Sequence, residues 1–318
     1  MHDGFIQLHA PDSNLIQEEL RAGLQASVAH TSPKYLYDAL GSKLFEAICE
    51  LPEYYPTRTE AAIFMAYADE VAASVGPGRT LIDLGAGNCA KAARLFAGLQ
   101  PSQYVPVDIS IDFLRDTVAN LRQRFPAIEM LGVGMDFSES LELPAAVAQH
   151  QRLFFYPGSS IGNYTPDQAL AYLRRIRAAC SDDASGLLIG VDLVKNKVVL
   201  DAAYDDALGV TAAFNLNLLR HLNTVLDADF DVRDWHHRGF FNTEESRIEM
   251  HLEARHEVTA TWRGGERCFA AGERIHTENS YKYTQQGFAS LLERAGFEVR
   301  HRWTDPQQWF LVCHASTA

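Results

Sequence analysis

Positive charge is scarce in this chain. Its 28 lysines and arginines stand against 41 aspartates and glutamates in 318 residues, a formal net charge of −13 at pH 7. Such a chain lacks the clustered Lys and Arg that neutralise phosphates, which argues against a sequence-independent grip on nucleic acid. The acidity itself reads as solubility. Cysteine is also sparse: Cys49, Cys89, Cys180, Cys268 and Cys313 are odd in number and far apart, with no CxxC pair. No Cys/His spacing reads as a zinc site, so neither a disulfide framework nor a metal is expected and the thiols are read as reduced. No uninterrupted apolar run reaches about 18 residues, so no transmembrane helix is expected. The N-terminus lacks the basic segment and apolar run of a signal peptide, which leaves the cytoplasm as the expected compartment. There is no internal repeat and no low-complexity tract, and only about the first ten residues and the last few read as disordered.

What is present is apolar sequence, 47% of the chain, enough for a large core and for about two domains. Continuous apolar runs occur at Thr80–Leu84, Tyr104–Val107, Ile128–Val133, Leu153–Tyr156 and Gly186–Val194. Such runs suit parallel strands buried on both faces. Helical patterns lie between them at Ala90–Leu99, Ile111–Phe125, Leu141–Ala148 and Pro166–Ala179. The last has Thr165 placed as N-cap and Pro166 at the first helical position. This alternation predicts a doubly wound α/β sheet. The pattern breaks after Lys195, where a helix over about Ala202–Leu226 and alternating segments at Ser246–Ala254 and His256–Trp262 predict an α+β insertion. The doubly wound order resumes with a helix over Thr284–Ala295 and strands at Glu298–Arg302 and Trp309–His314. The expected partition is a sheet domain of residues 61–195 plus 287–318, and a second domain of residues 1–60 plus 196–286.

The most informative short motif is Asp83-Leu84-Gly85-Ala86-Gly87-Asn88, at the end of the first strand of the alternation. Glycines there allow a tight turn and close approach of backbone N–H groups to a ligand. The run Gly85–Ala90 also fits the dinucleotide pattern G-x-G-x-x-G/A, a weak signal alone. Three further residues turn the reading toward S-adenosylmethionine. Asp83 forms a D-x-G-x-G signature and suits a ligand bearing a sulfonium and an ammonium. Asp108, at the end of the next strand, is placed to accept hydrogen bonds from ribose hydroxyls, a feature shared with NAD enzymes. Asp136-Phe137 follows the third strand, where a carboxylate can take an exocyclic amine and a ring can cover an adenine. Lys91 could neutralise the cofactor carboxylate.

Longer stretches carry a closer likeness: Tyr35-Leu36-Tyr37-Asp38, Gly41-Ser42-Lys43-Leu44-Phe45, the run Leu51-Pro52-Glu53-Tyr54-Tyr55-Pro56-Thr57-Arg58-Thr59-Glu60, and Pro157-Gly158-Ser159-Ser160-Ile161-Gly162-Asn163. Ala203-Tyr204-Asp205-Asp206, Phe214-Asn215-Leu216-Asn217, Ile248-Glu249-Met250 and Thr277-Glu278-Asn279-Ser280 extend it over nearly the whole chain. In these the chain resembles the histidine-specific Nα-methyltransferases of the ergothioneine pathway. The resemblance implies a Rossmann-like class I methyltransferase sheet with an inserted substrate-binding domain. It also implies successive methyl transfer from S-adenosylmethionine to the α-amino nitrogen of L-histidine, up to the betaine hercynine. Carried over residue by residue, Gly85, Lys91, Asp108, Asp136 and Phe137 match cofactor positions, with Asp83 and Gly87 beside them. Asn163 and Tyr204 would hold the substrate carboxylate and backbone end, and Glu278 and Ser280 the imidazole. Tyr37, Tyr54 and Phe45 would line the methyl-transfer centre, Tyr37 and Tyr54 as catalytic residues. Gly158 and Ser160 would lie on the loop after the fourth strand, and Met250 beside the ring. The pattern leads one to expect a second glycine in the Pro157–Asn163 loop, where this chain has Ser159.

These residue types can also be weighed by their chemistry. Asn163 at the carboxyl end of a sheet suits a ligand contact, although a loop-capping Asn is common. A carboxylate can accept an imidazole N–H while a serine hydroxyl serves the other nitrogen, although a surface Glu beside a turn Ser is the commoner pairing. Tyr54-Tyr55 could be core aromatics, yet aromatic faces also tolerate a quaternary ammonium, the end product of successive N-methylation. No dedicated general base stands out. The expected partner is a free amino acid, with no nucleic acid or membrane and a monomeric state. Other readings are an N-methyltransferase of another amino acid such as a tryptophan derivative, an NAD(P)-dependent oxidoreductase, and a non-catalytic binding protein. Glu278 with Ser280 favours an imidazole over an indole.

Overall fold

The computed structural model describes residues 4–8, 12–109, 111–138 and 140–317. Of the termini expected to be disordered, residues 1–3, 9–11 and 318 lie outside the described residues, while Phe5–Gln7 forms a strand. The chain divides into two compact units: Met1–Ala10, Arg58–Leu193 and Tyr283–Ala318 form the first, and Pro11–Thr57 with Val194–Lys282 the second.

The first unit is built on a nine-stranded sheet. Its strands run Phe5–Gln7, Gly132–Gly134, Gln103–Asp108, Thr80–Leu84, Arg152–Tyr156, Gly186–Asp192, Phe310–Thr317 and Phe297–Thr304 from edge to edge, with the short Glu129–Met130 also pairing onto Gln103–Asp108. All pairings are parallel except those of Phe310–Thr317, which is antiparallel to both neighbours. The apolar runs read in the sequence are explained by two cores. Ile82, Leu84, Val105, Val107, Phe154 and Ile189 pack into one, while Leu81, Tyr104, Leu153, Phe155 and Leu188 pack into the other. Both faces are covered, so no polar alternation is required. Thr80–Leu84 lies where the chain order reverses, between Gln103–Asp108 and Arg152–Tyr156. The crevice beyond the carboxyl ends at such a point is where open α/β sheets bind ligands.

Thr165 caps Pro166–Ala178 through a capping box with Gln168, and Thr284 caps Gln285–Arg294. The helix expected over Leu141–Ala148 does not form. Pro144 removes an N–H in its middle, and the segment packs as a loop that still buries Leu141 and Val147. Ala90–Leu99 is two short helices, Ala90–Ala93 and Phe96–Leu99.

The second unit has a three-stranded antiparallel sheet, ordered Arg274–Tyr281, Arg247–Ala254, Trp235–Asn242, and a hairpin of Val258–Trp262 with Gly265–Phe269. Helices Ser13–Gln25, Ala39–Cys49, Lys197–Tyr204 and Val210–Leu226 accompany them. The single helix expected over Ala202–Leu226 is interrupted at 205–209. The Asp206 carboxylate accepts from the backbone N–H groups of Val210 and Thr211 at 3.0 and 2.8 Å, and so starts a new helix instead of continuing the old one. The units differ from the expected partition at the N-terminus: Phe5–Gln7 pairs in parallel with Gly132–Gly134 and lies on the first unit's sheet. Residues 58–60 also fall in the first unit, where Glu60 accepts from the Gly158 N–H, as do residues 283–286, while residues 194–195 fall in the second.

Candidate active site

In the first unit the predicted cofactor residues sit at the carboxyl ends of adjacent strands. Asp83 is buried and accepts a 2.8 Å hydrogen bond from the Tyr104 hydroxyl. Burial pushes its carboxyl up to about 7, against the pull of that bond, and Asp108 adds to the rise. Gly85 turns the chain at φ +70°, and a Cβ there would stand 3.4 Å from the Phe137 ring, so a side chain would meet both strain and a neighbour. The N–H of Gly87 donates to Asp108 Oδ2 at 2.9 Å, which holds the turn against the next strand. Asp136 accepts from the backbone N–H and the hydroxyl of Ser138. Phe137 packs edge-on to Tyr156, its ring centroid 6.1 Å away.

This arrangement fits S-adenosylmethionine. Asp83 is a buried carboxylate whose ionisation a cation would favour, and nothing lies within 4 Å of a Cβ built on Gly87, so the turn faces open space. Asp108 and Asp136 supply acceptors on the next two strand ends.

Glu60 is the residue that reading the sequence missed as a site component. It is 1% exposed, and its two oxygens face different partners. Oε2 takes the Lys91 ammonium at 2.7 Å, and Oε1 accepts from the Gly158 N–H at 2.7 Å. Lys91, assigned from sequence to the cofactor carboxylate, is thus tied through Glu60 to the loop after Arg152–Tyr156. The signal available in the sequence was the Glu at the end of Arg58-Thr59-Glu60, but the two partners lie 31 and 98 residues away.

That loop runs through Gly158 at φ +78° and Ser159 at φ +60° into a 3-10 turn over Ser160–Asn163. Serine stands at the position where a glycine was expected, and it keeps the left-handed conformation. Its Oγ accepts from the Asp192 N–H at 2.9 Å, an interaction glycine cannot make. The conformation costs about 1–2 kcal/mol and the bond offsets it by about 1 kcal/mol. Ser159→Gly should therefore change unfolding free energy by less than about 1 kcal/mol, whereas Ser159→Ala keeps the strain, loses the bond and should cost about 1–3 kcal/mol. Urea unfolding of both variants checks this, and equal stability of the two would be the contrary result. Ser160 Oγ donates to the Pro157 carbonyl, and Asn163 ends the turn half-buried.

Of the predicted substrate residues, Gly158, Ser160 and Asn163 belong to the first unit and the others to the second. Tyr37, Phe45, Tyr54, Tyr204 and the unpredicted Phe214 form one ring cluster. Tyr37 lies 5.4 Å from Phe45 and 5.5 Å from Phe214, Phe45 lies 6.1 Å from Tyr54, and Tyr54 lies 6.0 Å from Tyr204. Burial, with nearby acidic groups, pushes the Tyr37 and Tyr54 phenols well above their usual range, so both stay protonated at neutral pH. They can donate hydrogen bonds and present ring faces, but they cannot take a proton. Tyr204 ends the helix Lys197–Tyr204, and its carbonyl is bonded to His237 Nε2 at 2.8 Å.

Glu278 and Ser280 lie on Arg274–Tyr281 two residues apart, a spacing that puts both side chains on one face. A register shift between His276 and Glu278 resets the alternation just before them, and Glu278 then pairs with the buried Met250. Burial lifts the Glu278 carboxyl to about 7, with Lys282 pulling the other way. Lys282 is a second residue the sequence did not reveal as part of the site. It is 4% exposed, and its ammonium donates to Ser280 Oγ at 2.8 Å and to the Tyr204 hydroxyl at 3.1 Å.

The sheet order, the reversal at Thr80–Leu84 and the acidic strand ends around a glycine turn define a class I methyltransferase that uses S-adenosylmethionine. More narrowly, the chain belongs to the histidine-specific, S-adenosylmethionine-dependent methyltransferases, whose family pattern matches residues 16–317. It is 40% identical over 297 residues to a histidine N-alpha-methyltransferase of Mycolicibacterium smegmatis, covering 92% of this chain and 91% of that one. It is 38% identical over 297 residues to the protein of the same name from Mycobacterium tuberculosis, again with 91% of each chain covered. Ergothioneine biosynthesis protein 1 of Neurospora crassa is 30% identical over 278 residues, which span 85% of this chain and 31% of that larger protein. Among the described residues no helix is long and apolar enough to cross a membrane.

Proposed function

We propose that this enzyme transfers methyl groups from S-adenosylmethionine to the α-amino nitrogen of L-histidine, successively, to the trimethyl betaine. The observation that carries the reading is the pair Glu278 and Ser280 on one face of a strand, with Ser280 hydrogen-bonded to Tyr204 of the tyrosine and phenylalanine cluster. In this reading Asp83, Gly85, Gly87, Lys91, Asp108, Asp136 and Phe137 hold the cofactor, which when bound supplies an electrophilic methyl group on a sulfonium.

The remaining work is positioning. Asn163, Tyr204, Gly158 and Ser160 hold the amino-acid backbone, while Glu278, Ser280 and Met250 hold the ring. In-line attack needs the amine aligned with the methyl group, and such orientation accounts for much of the rate. Only the neutral amine carries the lone pair, and an α-amino group with a reference pKa of about 8 is mostly protonated at pH 7. A proton therefore leaves to water before each transfer, freeing the lone pair that takes the methyl carbon as its bond to the sulfonium sulfur would break. Tyr37, Tyr54 and Phe45 present ring faces that favour the growing positive charge, and a trimethylammonium needs no hydrogen-bond partner. The reading places the reaction in the cytoplasm, where the five free thiols would stay reduced.

Mass spectrometry of purified enzyme with S-adenosylmethionine and a mixture of free amino acids tests the proposal. Histidine is expected to gain up to three methyl groups while the others stay unchanged. Methylation of a different amino acid would remove the imidazole assignment and leave the fold and cofactor standing.

A further inference from the structure

Among the buried charged groups, Lys282 is one that the reaction as described does not use. Removing an ammonium from water is expensive unless hydrogen bonds replace the lost hydration. Here the ammonium is held against two hydroxyls, Ser280 Oγ at 2.8 Å and Tyr204 at 3.1 Å, with its charge 4.9 Å from the Tyr204 ring centroid. Those two oxygens are themselves 3.1 Å apart, with Tyr204 donating to Ser280.

The hydrogen-bond arithmetic of this triangle is restrictive. An ammonium only donates, and a hydroxyl oxygen has two lone pairs and one proton. Ser280 Oγ receives one bond from Lys282 and one from Tyr204, which occupies both lone pairs. With Tyr204 as the donor of the bond between the two hydroxyls, the Ser280 proton points away from the triangle, toward an outside acceptor, and the adjacent positive charge makes that O–H a stronger donor. On the same strand face, Glu278 is a carboxylate when ionised and only accepts. The face therefore offers one acceptor and one donor, the complement of a neutral imidazole with one N–H and one bare nitrogen. An indole has the N–H but no ring lone pair, and an imidazolium has no acceptor at all.

We propose that Lys282 is a specificity-determining positioning residue, which acts through Ser280 by forcing its hydroxyl to donate to the unprotonated ring nitrogen of the substrate. The proposal rests on histidine being the substrate and assigns the reading of its tautomer to a residue that touches Ser280 and Tyr204.

The test is a double-substitution cycle with steady-state kinetics on L-histidine and on 3-(2-thienyl)alanine, whose ring has no nitrogen, with S-adenosylmethionine binding measured for every variant. Lys282→Met should raise KM for histidine by about 10–100-fold, as for loss of one charge-assisted hydrogen bond, with kcat within about threefold and cofactor affinity unchanged. Use of thienylalanine should not fall. In the Ser280→Ala background the same substitution should add less than about threefold, because its effect passes through the hydroxyl. Lys282→Gln, which keeps a donor and loses the charge, is measured in parallel and should fall between wild type and Lys282→Met. Histidine methylation with a KM within about twofold of wild type in both Lys282 variants, or effects of Lys282 and Ser280 that simply multiply, would overturn the proposal alone. Failure of the unsubstituted enzyme to methylate histidine would overturn the histidine reading and this proposal together.

Discussion

Glu278→Ala is expected to lower kcat/KM for histidine by about 10²–10⁴-fold while S-adenosylmethionine binds as before. A site built to hydrogen-bond a polar ring discriminates on this scale because the unpaired groups must otherwise be left dry. The residues proposed for the cofactor all belong to the other compact unit, which is why the two effects should separate. Calorimetric titration of the cofactor and initial-rate measurements on the same preparation decide it, and parallel loss of both would remove Glu278 from the ring site. Stability should move the opposite way from activity. Glu278 is an acid whose folded pKa rises from 4.5 to about 7 through burial. The cost of ionising it in the fold is absent below the unfolded value and complete above about pH 7. Glu278→Ala should therefore be at least as stable as wild type at pH 8, apart from the small void it leaves.

Asp83→Asn is expected to show the same opposition more strongly, in the first unit. The Asp83 pKa rises from 3.8 to about 7 because the carboxyl is buried, and the Tyr104 hydroxyl only partly compensates. At about 1.36 kcal/mol per unit, the penalty on the ionised form is at most about 4 kcal/mol. The sign follows from the direction of the shift: the penalty is absent below about pH 4, grows between pH 4 and 7, and is full above. The asparagine variant can still accept from Tyr104 and carries no charge, so its thermal midpoint without cofactor should exceed that of wild type at pH 8 and match it near pH 4. Cofactor affinity should fall by at least about tenfold, since a buried carboxylate no longer faces the cation. A melting point lower than wild type at pH 8 would show that the carboxylate is already compensated inside the protein. Retained affinity would place the cofactor's charged groups elsewhere.

Some features were legible in the sequence because they are written in contiguous residues. The apolar runs Thr80–Leu84 and Gly186–Val194 announced strands covered on both faces, since a strand with one wet face would have alternated. Thr165 with Pro166 marked a helix start because a cap acts within three residues of itself. The Asp83–Gly87 turn could be read for the same reason, and the strand ends Asp108 and Asp136 followed from it by the rhythm of the alternation. The pair Glu278 and Ser280 entered through the family resemblance alone, and the strand and register shift that put both on one face were not read from the sequence.

Only the tertiary structure decided the rest. Phe5–Gln7 is too short to carry a period, and its place on the sheet comes from pairing with residues more than a hundred positions away. The break before Val210 depends on Asp206 folding back onto two N–H groups, a local choice that helix periodicity does not encode. Glu60 became a site residue by meeting Lys91 and Gly158, and Lys282 by meeting Tyr204 from 78 residues away. In both cases a buried charge had to find donors or acceptors wherever the fold brought them. Sequence patterns record which residues are buried and how the backbone repeats. Which distant polar group satisfies a buried charge is settled only when the chain has packed, and that pairing is what this enzyme's proposed selectivity rests on.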